Sequence, residues 1–241
     1  MKYFTAAALL AFVAQAQTQD EKDKYPEFAA DMEWWGYTWE AFEVTTDDGY
    51  ILANFHITGK TDGSASPTNP DLHPAFFMNG MMTDAESMTK KRDKTNIPLP
   101  LHIYEAGFDT YLGNNRATRY SQKHTKYDIY DKEYWSWGAA EMGIYDDPAA
   151  LKYIFDKTGR KVSYIGISQG TAQMFYGLSK LEDEFYADHV WTAAMVDPCV
   201  IQIKKETKEG GDDFYTSSFE FESMGIYSLG GPDHDTWSAN L

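Results

Sequence analysis

The chain has 241 residues, enough for one large domain or two small ones. Hydrophobic residues make up 43% and aromatic residues 16%, so the chain can bury a sizeable core and global disorder is excluded. Asp and Glu (37) outnumber Lys and Arg (21), and the net charge of −16 argues against nucleic acid as a partner.

The N-terminus, "MKYFTAAALLAFVAQAQTQD", has one lysine, an uncharged run over 3–19 and the small-x-small triplet ending at Ala16. This pattern predicts a signal peptide over 1–16, and hence a secreted or lumenal protein, with a lysosome-like compartment among the options. A membrane anchor is the rival interpretation, but the apolar stretch is too short to span comfortably. No second run of spanning length follows, so no transmembrane segment is expected.

Residues 17–38 are interpreted as a polar leader and 39–200 as the folded core. Two β-rich runs, 42–46 and 50–57, flank Asp47-Asp48-Gly49 and predict a β-hairpin. A loop is expected over 59–73, and short buried strands over 74–79 and 107–113. The polar segment 83–94 fits either a helix or a loop.

The segment 131–160 predicts two helices separated near Asp146-Asp147-Pro148, with Pro148 in the first turn of the second and Asp146 or Asp147 as its cap. A strand over 161–167, a helix from about Ser168 and a strand over 189–198 complete the pattern. Alternating strands and helices predict an α/β fold with a mostly parallel sheet covered on both faces. Residues 201–241 have no clear pattern and stay unassigned.

The sequence "GISQG" at 166–170 has the form G-x-S-x-G between a predicted strand and a predicted helix. This is the setting of a nucleophile elbow, in which a sharp turn lifts the hydroxyl of Ser168 above the sheet. Gly166 and Gly170 would allow strand and helix to pack closely. The alternative is a glycine-flanked serine at an ordinary helix start.

Two backbone N–H groups are candidates for an oxyanion hole, which stabilises the charge developing on an acyl carbonyl. One is that of Gln169, next after the serine, and the other that of Met81, in the loop "FFMNGMMT". An ordinary strand-to-loop turn at Gly80 is the alternative for the second. Cys199 is the only cysteine, which excludes an intrachain disulfide and a cysteine-based metal site. No other ligand spacing is present, so no metal and no cofactor are expected.

Several segments in order resemble the acid lipases, the gastric and lysosomal group of α/β-hydrolases. They are "FEVTTDDGYIL", "NGMM", "AGFDTYLGNNRATRYSQKH", "YWSWGAAEMGIYDDPAALKYI" and "YIGISQGT". The resemblance runs from about Trp39 to Val200. It implies an α/β-hydrolase fold, hydrolysis of lipid acyl esters, Ser168 as nucleophile, and Met81 and Gln169 as oxyanion donors. The chain departs from the family where Asn79 and Ile167 each replace a histidine.

The family's acid and base lie far downstream of the serine, and neither motif is matched here. Asp197 and His234 provide a substitute in the order Ser, Asp, His, but order alone does not define a triad. The chain is therefore interpreted as a hydrolase core truncated after its sixth strand, with 201–241 as a tail or the start of a cap. A sheet edge would then need cover from this tail or from a partner.

The sequence thus predicts a secreted lipase-type serine hydrolase acting on neutral-lipid esters. The alternative is a catalytically inactive lipase-like protein that binds lipid or a partner protein.

Overall fold

The computed structural model describes residues 22–199, except 65, 91–92 and 182. The predicted signal peptide, the segment 201–241 and His234 lie outside the described residues. Helices are α1 (Pro26–Trp35), α2 (Ala85–Thr89), α3 (Leu99–Glu105), α4 (Ala139–Glu141), α5 (Asp147–Thr158), α6 (Gln169–Lys180) and α7 (Asp183–His189). Strands are β1 (Tyr37–Thr45), β2 (Tyr50–Lys60), β3 (Ala75–Met78), β4 (Thr110–Leu112), β5 (Lys123–His124), β6 (Val162–Ile167) and β7 (Val190–Val196).

The described strands form one mixed sheet in the order β1-β2-β4-β3-β6-β7, with the short β5 paired to β2. The predicted hairpin is confirmed: β1 and β2 pair antiparallel, and the turn closes where Thr46 N–H donates to the carbonyl of Tyr50 at 2.8 Å. β4, β3, β6 and β7 are mutually parallel, so their carboxyl ends meet at one edge of the sheet. The prediction of a mostly parallel α/β fold is therefore confirmed.

Helices and loops cover both faces of the sheet over most of its width. Neighbouring residues on β4 divide between the faces: Tyr111 belongs to the apolar cluster beside α5 and α6, and Leu112 to the cluster beside α1 and α3. Helix α1 lies inside the segment interpreted as a polar leader, yet Phe28 and Met32 on it are fully buried. The apolar side chains of α1 cover the first two strands.

The interruption near Asp146 is not a gap between helices, contrary to the sequence prediction. A π-helical turn over Met142–Asp146 joins α4 to α5, so the backbone stays helical throughout. Pro148 lies in the first turn of α5 as expected, but Asp146 makes no side-chain cap. Its carboxylate instead accepts from the Arg116 guanidinium at 2.7 Å, and such long-range pairing leaves no local sequence signal.

Arg116 is a buried cation that connects three segments. Its guanidinium pairs with Asp146 and, through two hydrogen bonds of 2.7 and 3.0 Å, with Asp48 in the hairpin turn. It also lies 4.0 Å from the centre of the Tyr50 ring. Burial lowers the pKa of Arg116, but the two carboxylates outweigh burial and raise it, so the guanidinium stays charged. The ion pairs of Arg116 thus connect the hairpin turn to the π-helical turn, which packs against α6.

β7 is the outer strand of the sheet in the described part of the chain. Residues 191–194 are exposed, so side chains on both faces of the strand reach the surface, and Trp191 is 63% exposed. Helix α6 also exposes three large apolar side chains, Phe175, Tyr176 and Leu178. The edge that the sequence predicted to need cover is thus apolar on the described residues.

Candidate active site

Ser168 lies between β6 and α6 in a strained backbone conformation. Its φ is 50° and its ψ −112°, a region that costs a non-glycine residue on the order of 1–3 kcal/mol. The conformation is maintained from both sides. Ser168 N–H donates to the carbonyl of Val196 at 2.9 Å, and the Ser168 carbonyl accepts from both the N–H and the hydroxyl of Thr171.

Strain is concentrated at the same edge of the sheet. Four non-glycine residues in the described part of the chain have positive φ: Met82, Ala117, Ser168 and Asp197. Ser168 directly follows β6, Asp197 directly follows β7, and Met82 is four residues beyond β3. Because these three strands are parallel neighbours, the three strained residues lie around the carboxyl ends of adjacent strands. Strained backbone of this kind is typical of functional sites.

The two glycines of the motif are required by close packing. A Cβ on Gly166 would lie 2.8 Å from the carbonyl carbon and oxygen of Gly170, and a Cβ on Gly170 would lie 2.6 Å from the carbonyl oxygen of Met78. Both distances are shorter than real Cβ contacts. The end of β6, the start of α6 and the end of β3 therefore touch through backbone atoms alone.

The loop after β3 lies against Ser168. A Cβ on Gly80 would be 3.3 Å from the Ser168 Cβ and from the Ile167 carbonyl oxygen. Met81 follows with its side chain 53% exposed. Within the described part of the chain, neither Met81 N–H nor Gln169 N–H has a hydrogen-bond acceptor. Gln169 is also the first residue of α6, where the helix dipole adds positive potential.

Asn79, one of the two departures from the family pattern, has a definite structural role. Its side chain is 1% exposed and its amide nitrogen donates to the carbonyls of Gly80, at 2.9 Å, and Thr83. Its amide oxygen accepts from the N–H of Asn115 at 3.3 Å. The asparagine thus holds the turn that carries Gly80 and Met81. Ile167, the other departure, is partly buried at the end of β6.

Met142 is a neighbour of the elbow that the sequence did not indicate. Its Sδ is 3.0 Å from the amide nitrogen of Gln169 and 3.2 Å from that of Gln173. The contact depends on the π-helical turn, which packs so close to α6 that a Cβ on Gly143 would meet the Gln173 carbonyl oxygen at 2.3 Å. The glycine in "EMGIYDD" was the one signal that could have indicated this close approach.

A buried acid also lies behind the elbow. Asp147, at the start of α5, has its Oδ2 3.1 Å from the Tyr164 hydroxyl, which lies 2.7 Å from the carbonyl oxygen of Gly170. Asp147 and Tyr164 are both fully buried. The sequence pattern indicates only a helix-cap role for Asp147.

No histidine ring contacts Ser168 in the part of the chain that the structure describes. Four of the five histidines there have ring partners elsewhere, and the fifth, His102, is exposed on α3. The ring partners are the Glu40 and Asp109 carboxylates for His56, the Lys161 carbonyl for His73, the Asp48 carbonyl for His124 and the Phe185 carbonyl for His189.

Asp197, the candidate acid, lies near Ser168 at the same sheet edge. It follows Val196, whose carbonyl bonds to Ser168 N–H, and its side chain is exposed. Its proposed partner His234 lies outside the described residues, so the substitute triad stays a prediction. Cys199, two residues further, is exposed and donates its N–H to the Thr171 hydroxyl.

His56 forms a separate charged cluster on the sheet. Its Nδ1 lies 2.9 Å from Glu40 and its Nε2 2.6 Å from Asp109. Burial lowers the pKa of His56, but the Asp109 and Glu40 hydrogen bonds outweigh burial and raise it. The hydrogen bond to His56 lowers the pKa of Glu40 to about 2. Burial raises the pKa of Asp109, but the hydrogen bond to His56 outweighs burial, so the pKa of Asp109 is lowered.

Among the described residues, no group of three or more His, Cys, Asp or Glu side chains is arranged to hold a metal ion. None of the described helices combines the length and the apolar character needed to cross a membrane.

The family model described as "Partial alpha/beta-hydrolase lipase region" matches residues 28–90. A hypothetical protein from Pseudomonas aeruginosa superposes with a TM-score of 0.50 at 13% identity, covering 79% of this chain and 55% of that one. With the sheet order, these matches show that the chain has an α/β-hydrolase fold.

Two curated relatives define the group more closely. A putative lysosomal acid lipase/cholesteryl ester hydrolase from Crotalus adamanteus is 37% identical over 150 residues, which cover 61% of this chain and 36% of the relative. Triacylglycerol lipase 2 from Arabidopsis thaliana is 31% identical over 205 residues, which cover 85% of this chain and 47% of the relative. Over the matched part the chain is similar to these lipases, and it spans between about a third and a half of their length.

Proposed function

We propose that this protein is a secreted lipase-type serine ester hydrolase with Ser168 as its nucleophile. Ser168 Oγ attacks the acyl carbonyl of a neutral-lipid ester, and the alcohol leaves as the acyl group transfers to the serine. The N–H groups of Met81 and Gln169 hold the negative charge on the former carbonyl oxygen. Water then cleaves the acyl-serine bond and releases a fatty acid.

One observation carries the proposal: the strained Ser168 lies directly against the Gly80 turn, where a Cβ on Gly80 would be 3.3 Å from the Ser168 Cβ. The positive φ of Ser168 costs free energy that an ordinary helix start would avoid, since a serine cap adopts extended backbone at no such cost. The free N–H groups of Met81 and Gln169 flank the same serine. Strain together with unpaired donors favours an oxyanion site over a simple turn.

A fluorophosphonate probe, which reacts with activated serines, tests the proposal on the purified chain. Labelling should occur in the wild type and disappear in Ser168→Ala. Ser179→Ala is the matched control, since Ser179 lies on the same helix, is exposed and bonds only to the Tyr176 carbonyl. Absence of labelling in the wild type, or labelling that survives in Ser168→Ala, would refute Ser168 as the nucleophile.

The substrate is a neutral-lipid ester, because the curated relatives are named for triacylglycerols and cholesteryl esters. The exposed Met81 and Met82 beside Ser168 suit an apolar acyl chain. Release of fatty acid from emulsified triacylglycerol and from cholesteryl oleate should be compared, and loss of both activities in Ser168→Ala is expected. Secretion after cleavage at Ala16 is part of the proposal, and N-terminal sequencing of protein from the medium tests it.

A second candidate is a non-catalytic lipase-like protein that binds lipid or a partner protein. The observation that favours it is that none of the histidines in the described residues lies against Ser168. Binding to triacylglycerol emulsion that is equal in wild type and Ser168→Ala, without probe labelling, would support this alternative. The apolar edge at β7 is the surface on which a partner of this form, or of the hydrolase, would bind.

A further inference from the structure

Asp147 is a buried carboxyl group that the proposed reaction does not use. It is fully buried, and its Oδ1 has no hydrogen-bond partner in the described part of the chain. The titratable groups that act on it there are Asp146, Tyr164 and Tyr186 of α7, and none is a cation. Arg116 is committed to Asp146 and to the hairpin turn. Burial raises the pKa of Asp147 well above its usual range, which the Tyr164 bond offsets only in part.

The direction of the hydrogen bonds follows from counting protons. The Tyr164 hydroxyl has one proton and lies 2.7 Å from the Gly170 carbonyl oxygen and 3.1 Å from Asp147 Oδ2. A carbonyl oxygen can only accept, so the shorter contact takes the tyrosine proton. An ionised Asp147 would then place two acceptors face to face in a buried site. A protonated Asp147 removes this conflict, because its O–H donates to the tyrosine oxygen.

The hydrogen bonds that run from Asp147 through Tyr164 end at the carbonyl oxygen of Gly170, which belongs to the peptide that supports the elbow. A Cβ on Gly166 would touch the carbonyl group of Gly170 at 2.8 Å, and a Cβ on Gly170 would touch the Met78 oxygen. The Gly170 peptide is thus enclosed between the ends of β6 and β3. The Tyr164 hydroxyl fixes that peptide. The turn that carries Ser168 spans the four peptide bonds from Gly166 to Gly170.

We propose that Asp147 is a positioning residue for the elbow: as a neutral acid it donates to Tyr164, which donates to the Gly170 carbonyl and thereby fixes the turn of Ser168. The assignment of a catalytic benefit rests on the proposed function. When Asp147 ionises, the carboxylate competes for the tyrosine proton and the Gly170 carbonyl loses its donor. Reactivity at Ser168 should therefore fall at alkaline pH. Asp147→Asn retains a donor and cannot ionise, so it should abolish this alkaline fall.

Infrared difference spectroscopy of the full chain at pH 7 tests the protonation without using activity. The difference between wild type and Asp147→Asn should contain the carbonyl stretch of a protonated carboxylic acid. The matched control is Asp156→Asn on the same helix, an exposed residue paired with Lys152, whose difference from wild type should contain a carboxylate band instead. A carboxylate band in the Asp147 difference would overturn the proposal, whether or not Ser168 reacts with any probe.

The fluorophosphonate labelling rate then tests the positioning role. Asp147→Asn should label within about twofold of wild type at pH 7, whereas Asp147→Leu, which has no donor, and Tyr164→Phe should each label about tenfold more slowly or less. Equal rates in wild type, Asp147→Leu and Tyr164→Phe would overturn the role. If wild type itself does not label, the proposed function fails while the infrared result still decides the protonation of Asp147.

Discussion

Replacing Gly170 by alanine tests the backbone contact on which the site depends. A Cβ there would lie 2.6 Å from the Met78 carbonyl oxygen and 3.1 Å from that of Asn79. To bring the shorter contact to 3.0–3.4 Å, the start of α6 must move away from β3 by about 0.4–0.8 Å. The obstacle is backbone, so no flexible side chain can move aside.

The structure sets the magnitude of both effects. Overpacking of this kind costs about 1–3 kcal/mol, and in a domain of this size each kcal/mol lowers Tm by roughly 2–4 °C. We therefore expect Tm to fall by about 2–12 °C. Because the displacement separates Ser168 from the Gly80 turn, and a misplacement near 1 Å can cost about 100-fold in rate, labelling of Ser168 should slow by about 10- to 100-fold.

Thermal unfolding followed by circular dichroism gives Tm, and fluorophosphonate labelling gives the rate at Ser168. Gly138→Ala is the matched control, since the atom nearest to its new Cβ is the Glu141 side chain at an ordinary 3.6 Å. If Gly170→Ala melts and reacts like Gly138→Ala, then β3 and α6 do not touch as described, and the explanation of this glycine is wrong.

Two further predictions concern the charged networks. Arg116→Met should leave two carboxylates without their cation and lower the free energy of unfolding by about 3–5 kcal/mol, measured by urea denaturation; a loss under 1 kcal/mol would contradict that estimate. His56→Asn should cost more stability at pH 5.5 than at pH 8.5. The raised pKa of His56 contributes stability that is complete below its ordinary 6.5 and is lost as pH rises through the raised value. The lowered pKa of Glu40 contributes stability that is complete above its ordinary value of 4.5 and is lost as pH falls toward about 2, so this contribution is the same at pH 5.5 and pH 8.5. An equal cost of His56→Asn at the two pH values would therefore refute the pairing.

The sequence predicted the parts of the fold whose signals are local. The hairpin around Asp48-Gly49, the buried run that became β3, and the strand–motif–helix order around Ser168 all follow from turn residues, apolar runs and glycine spacing within a few residues. The acid-lipase resemblance rests on the same segments; the α/β-hydrolase fold it implied is confirmed, and the curated relatives that match are lipases. Chemical roles for Ser168, Met81 and Gln169 remain predictions that the proposed labelling tests.

Other features could not be predicted because they depend on residues far apart in the chain. The helix over 139–158 is continuous because Asp146 pairs with Arg116, 30 positions earlier, instead of capping α5. Helix α1 is part of the core although its segment reads as polar overall, since only the sheet reveals which of its faces is buried. Met142 reaches Gln169 only through the π-helical turn.

Ser168 illustrates the division most directly. The sequence by itself determined that a serine lies between two glycines, after a strand and before a helix. It could do so because close packing at this turn requires residues without a Cβ, and glycine is the residue type that has none. Only the tertiary structure decided that the serine is strained, that the Gly80 turn lies against it, and that Asp147 lies behind it through Tyr164. Those facts depend on how β3, β6 and α5 pack together, and packing between distant segments has no local pattern in the chain.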